Sequence, residues 1–146
     1  MELKDATGIQ IPGQGFVAET IQFWQYGLQL GNTVPSRSVL LEGQFRLTIG
    51  GRSSVVTLGE DLQALTSQLS LLPSFLGLKV GHIKIYANGL LEIDLGCGRI
   101  ETYDASWEMS GFCTPRAGYA NFLEGGSAML EDYGHLLKEE PEWRFF

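Results

Sequence analysis

Five carboxylates, Glu92, Asp94, Glu101, Asp104 and Glu108, crowd into one short stretch of the chain. Paired carboxyls can hydrolyse a glycosidic bond when they stand about 5 to 9.5 Å apart in a cleft and their pKa values are driven apart. The spacing here is instead that of alternating strand residues, which build a solvated face. Calcium is no better served, because no Asp-x-Asp-x-Asp-Gly loop is present. The two histidines, His82 and His135, have no Cys or carboxylate at metal-ligand spacing and no accompanying nucleophile motif. The strings Gly13-Gln-Gly15, Gly96-Cys-Gly98 and Gly125-Gly126 lack the lysine and the strand-glycine-helix setting of a phosphate loop. Cys97 and Cys113 are too few for a disulfide scaffold and too far apart for a close metal pair, so they read as reduced, at least partly buried thiols. No enzyme, metal or cofactor is expected from these residues.

Binding is what the same acids can do. The net charge of −7 is unevenly placed: from Met1 to Leu91 six acids balance six bases, whereas from Glu92 to Glu142 eleven acids face three bases. Nucleic acid is excluded as a direct partner, since phosphate binding needs Lys and Arg to displace counterions. A basic protein is the natural opposite. If Glu92, Asp94, Glu101, Asp104 and Glu108 share the wet side of a sheet, Tyr103 or Trp107 lies close enough to anchor such a partner, with charge steering its approach. A purely solubilising face is the alternative.

The elements that must position these residues are mainly strands. The chain of 146 residues fits a single domain, and its 19 glycines imply many turns. His82 to Tyr86 and Leu91 to Leu95 alternate apolar and polar residues around Asn88-Gly89, a hairpin with one side on the core and one side wet. Lys84 is expected to pair across it with Glu92 or Asp94. Val39 to Ile49, read as one or two strands interrupted at Gly43, and Ser54 to Leu58 form a second hairpin around Gly50-Gly51, and Arg99 to Tyr103 another strand. From Glu19 to Leu30 both faces carry large apolar groups, which reads as one strand ending in a turn at 31–36.

Leu62, Leu65, Leu69 and Leu72 recur at helical spacing, so a helix is expected over about 60–72, with a Thr57/Glu60 capping box and Pro73 closing it. Ser127 is placed to cap a short C-terminal helix through Lys138, weakened by Gly134. Residues 1–15 read as a loosely held arm. The acidic-aromatic tail 139–146 is expected to dock on the body. There is no basic, apolar leader at the start and no apolar run near the ~18 residues a membrane span needs, so a cytoplasmic protein is expected.

The order of features from 39 to 111 resembles an uncharacterised family of small bacterial domains of unknown function. The resemblance rests on Phe45-Arg46-Leu47, the leucine-rich helix, the hairpin around Asn88-Gly89-Leu90-Leu91-Glu92-Ile93, the glycine turn, and Asp104-Ala-Ser-Trp107-Glu108. It implies no activity, because the family has none to transfer.

Together these readings describe an α+β domain, a mainly antiparallel, bent sheet of six or more strands with one packed helix. Its expected function is to mask a basic partner, in concrete form as a bacterial immunity protein neutralising a toxin nuclease. One alternative is a small-molecule or enzymatic site in the bend of the sheet, lined by Trp24, Tyr26 and Trp107. The other is an accessory domain that homodimerises through a strand edge or the Trp143–Phe146 tail.

Overall fold

Two long strands, β4 (Arg37–Ile49) and β8 (Gly98–Ser110), pair antiparallel from Ser38 opposite Ser110 to Ile49 opposite Gly98. The computed structural model describes residues 8–13, 15–34, 36–86, 90–110, 121–122 and 144–145. The outer edge of β4 is divided between β3 (Gly27–Asn32), on its first half, and β5 (Arg52–Thr57), on its second. β8 is divided likewise, between β7 (Leu91–Asp94) and the short β9 (Asn121–Phe122). Each half of the ribbon thus carries its own flanking strands. The sheet is completed by β1 (Gly8–Pro12), β2 (Thr20–Trp24), β6 (His82–Tyr86) and β10 (Arg144–Phe145), in the order β10-β1-β6-β7-β8-β4-β3-β2. The fold is α+β, an antiparallel sheet with one α-helix among the described residues.

The register of β4 against β8 shifts at one point. Gly43 is opposite Ala105 and Phe45 is opposite Thr102, so Gln44 alone faces both Tyr103 and Asp104. The extra residue on β8 is a β-bulge, which kinks a strand and reverses which residues face inward. Before it Ile100 and Thr102 are buried; after it Trp107 and Met109 are. β4 needs no such reversal, and Val39, Leu41, Phe45, Leu47 and Ile49 all point into the core.

Thr102 is one of the few polar groups inside. Its hydroxyl accepts from Leu91 N at 2.8 Å and donates to Leu91 O at 3.3 Å, satisfying the backbone where β7 begins.

The leucine-rich segment is helical over a shorter span than its periodicity suggests. α1 covers Leu62–Gln68, and Asp61, not Thr57, is its N-cap, accepting from Ala64 N at 3.0 Å. Thr57 lies in β5, where its amide donates to Gln68 Oε1 at 2.8 Å, and Ser54 Oγ donates to Gln68 O at 2.6 Å. These bonds tie the end of the helix to the sheet. Pro73 does not close α1 but sits in the first turn of a separate 3₁₀ helix, Leu72–Phe75, where its missing N–H costs nothing. Leu65, Leu69, Leu72 and Phe75 are buried, each side chain worth about 1.5–3 kcal/mol, whereas Leu62 is 60% exposed.

Three further expectations are corrected. Residues 8–12 are not part of a loose arm: they form β1 between β6 and β10, with Ile11 fully buried. The span 19–30 is two strands, β2 and β3, joined at Gln25-Tyr26, with Trp24 opposite Gly27. Cys97 is exposed.

The Gly50-Gly51 turn is as expected, with Ile49 opposite Arg52 and positive φ at both glycines, which a tight hairpin turn requires. The Asn88-Gly89 turn, Cys113 and the proposed helix at 127–138 lie outside the described residues. Of the tail, Arg144 and Phe145 are described, and they pair with Gln10 and Ile9. Among the described residues no helix is long and apolar enough to cross a membrane.

Candidate functional site

Register places the expected acidic face on the outer side of β6, β7, β8 and β4. One row across it reads Lys84, Glu92, Glu101, Arg46, and the next reads His82, Asp94, Arg99, Thr48. Glu92 and Glu101 are directly opposite, which would be repulsive alone. Arg99 resolves the conflict: its Nε donates to Glu101 Oε1 at 2.9 Å, and its Nη1 is 3.6 Å from Glu92 Oε1. His82 Nε2 stands 3.6 Å from Asp94 Oδ2. The other Asp94 oxygen, Oδ1, accepts from Gly96 N at 2.8 Å. Partial burial, and then the Glu92 carboxylate 3.5 Å from its hydroxyl, push the Tyr86 phenol above its ordinary pKa. Arg46 stacks over the Tyr103 ring at 5.3 Å. Pairs at such exposure contribute up to about 1 kcal/mol each.

The face is therefore mixed in sign. Glu92, Asp94, Glu101 and Tyr103 are brought together, but interleaved with Lys84, Arg99, Arg46 and His82. Trp107 does not join them: it is 2% exposed, turned into the core by the bulge. Glu108 is exposed beyond the bulge, opposite Leu40. Asp104 sits at the bulge itself, and its side chain lies outside what is described. The aromatic set suggested for a site in the bend is likewise divided, with Trp107 in the core and Trp24 and Tyr26 exposed beside the β2–β3 turn. Among the described residues no group of three His, Cys, Asp or Glu could hold a metal ion.

A second surface lies at β2. The chain before it pairs with residues 77–80, through Ala18 N to Leu78 O at 2.9 Å, Gly77 N to Ala18 O at 2.8 Å and Val80 N to Phe16 O at 2.9 Å. That pairing does not continue along β2, which ends the strand order and has no neighbour on its outer edge among the described residues. A groove of about 590 Å³ opens there. Ile21 and Phe23 form one wall, and Thr66, Leu69, Ser70, Leu72, Pro73 and Leu76 form the other. Phe23 is 46% exposed and Leu76 56%.

No family model, curated protein or solved structure matches this chain. The groove was missed by sequence reasoning because its walls lie about fifty residues apart in the chain. The available signal was the double-faced apolarity of Ile21 to Trp24, more than one buried face requires. An edge strand of this kind, with no Lys, Pro or bulge to blunt it, is a template for another chain.

Proposed function

We propose that the protein is a non-enzymatic binding domain that holds an extended, apolar segment of a basic protein partner along the edge of β2. One observation carries this reading, the meeting of a strand edge that is unpaired among the described residues with an apolar groove. Strand addition draws affinity from main-chain hydrogen bonds and specificity from pockets that take alternate side chains. The β2 edge supplies the first and the groove beside Phe23 the second.

Charge supports a basic partner. The chain carries −7, no charged residue occurs from Thr20 to Asn32, and Glu60 and Asp61 are the sole charges from Leu58 to Leu78. The segments that build the groove thus contribute carboxylates only. The ion-paired face of Glu92, Asp94 and Glu101 then serves long-range steering rather than docking. In concrete form the reading makes this a cytoplasmic immunity protein that masks the positive cleft of a toxin nuclease, which its acidity supports.

Co-purification with the product of the neighbouring reading frame tests the proposal. A complex is expected that weakens as salt rises and is lost in Phe23→Lys, while Asp94→Lys/Glu101→Lys lowers only the association rate. Absence of a complex, or one indifferent to Phe23→Lys, sinks the reading. Concentration-dependent dimers that occupy the β2 edge would replace it with self-association.

A further inference from the structure

The side of β2 that faces away from the groove carries different chemistry. Ile21 and Phe23 line the groove, so Thr20, Gln22 and Trp24, which alternate with them, lie on the opposite face. There Gln22 is opposite Gln29, and Thr20 is opposite Gly31, which is in turn opposite Ser38. Thr20 packs over Gly31, where a Cβ would sit 2.5 Å from Thr20 Oγ1. Beside this row is a pocket of about 330 Å³, at the small end of the ~300–1,000 Å³ typical of ligand sites.

The pocket is lined by the amides of Gln22 and Gln29 and by the hydroxyls of Thr20 and Ser38, all of which both donate and accept hydrogen bonds. Arg37 is its one charged lining residue among those described. Trp24 adds a flat apolar plate at the other end of the strand face. A Cβ on Gly27 would fall 2.3 Å from the indole Cζ2, so the ring lies against the backbone of β3. Trp24 is 43% exposed. From Thr20 to Trp24 the strand runs about 13 Å, room for more than one ligand ring.

We propose that this face binds an oligosaccharide. A sugar ring has an apolar C–H side that stacks on an aromatic plate and a rim of hydroxyls, each both donor and acceptor. The indole of Trp24 matches the first, and the paired glutamines and hydroxyls match the second. Phosphate-rich ligands are poorly served, since one guanidinium stands among neutral groups. The site is on the opposite side of β2 from the groove and is independent of the strand-addition reading.

Titration of the full chain with cellotetraose, maltotetraose, chitotetraose and trigalacturonic acid, followed by tryptophan fluorescence and calorimetry, tests the assignment. Saturable binding of at least one is expected, weakened about tenfold or more by Trp24→Ala and by Gln22→Ala/Gln29→Ala, and unchanged by Leu76→Ala in the groove. Unaltered circular dichroism and melting temperature establish that each variant folds. Failure of all four sugars to bind at millimolar concentration overturns the proposal. So does binding that survives both pocket variants, or preference for adenosine over every sugar.

Discussion

Arg99 holds Glu101 through Nε at 2.9 Å, and the same guanidinium reaches toward Glu92, the residue directly opposite Glu101 on β7. A single cation thus sits between two carboxylates that the ladder forces together. Arg99→Ala should therefore cost more than loss of an ordinary surface pair, about 1 kcal/mol, because two like charges are left facing each other. Adding Glu101→Gln to that variant should restore part of the loss in urea denaturation. Additive effects would show that Arg99 does not mediate between them. The gap between wild type and Arg99→Ala should also narrow at high salt.

Thr102→Val removes one buried hydroxyl while keeping shape. The Leu91 amide loses its acceptor at a place where water cannot substitute, so a cost of about 1–3 kcal/mol is expected. Amide exchange at Leu91 should accelerate while Ile93 and Ile100 stay protected. Uniform acceleration would point to general destabilisation instead.

Glu19 gives the stability curve a predictable acid limb. Its Oε2 accepts from the Thr33 hydroxyl at 2.6 Å and from the Thr33 amide at 3.1 Å. The hydroxyl first and the amide second hold its pKa below the ordinary 4.5. The unfolded chain therefore takes up this proton at a higher pH than the folded one. The stabilisation is fully present above pH 4.5 and is lost as pH falls through the lowered folded value. Glu19→Gln should be less stable than wild type at neutral pH, and the two should converge in acid. A gap that stays undiminished as pH falls through the lowered folded value would assign the effect to packing.

The parts of the fold legible in the sequence are those with a local signal. Gly50-Gly51 wrote its own turn, and the alternation of Ile83, Ile85 and Ile93 showed which side of β6 and β7 is buried. The bulge at Tyr103-Asp104 had no such signal, and one extra residue sufficed to send Trp107 inward. Gln25-Tyr26 hid the β2–β3 turn because neither residue is a usual turn former. Glu92, Asp94 and Glu101 share one outer face of the sheet, but bases stand among them. Lys84 and Arg46 belong to the neutral first part of the chain, and strand pairing carries them into the middle of the acids. Charge segregated along the chain need not stay segregated in space.

The β2 edge makes a prediction that needs no partner. Amides on a strand without an outer neighbour open by local fluctuation, whereas those between two strands need a larger unfolding event. β4, which has β8 on one side and β3 and β5 on the other, should be the slowest-exchanging strand of the described sheet, and the outward-facing amides of β2 should be among the fastest. Hydrogen exchange resolved by residue reads this directly. Phe23→Lys should leave the ranking intact, because Phe23 is already half exposed, while placing a charge where an added strand would insert an apolar side chain. If β2 is as protected as β4 in the isolated protein, its edge is already covered in solution, and the strand-addition reading loses its docking surface.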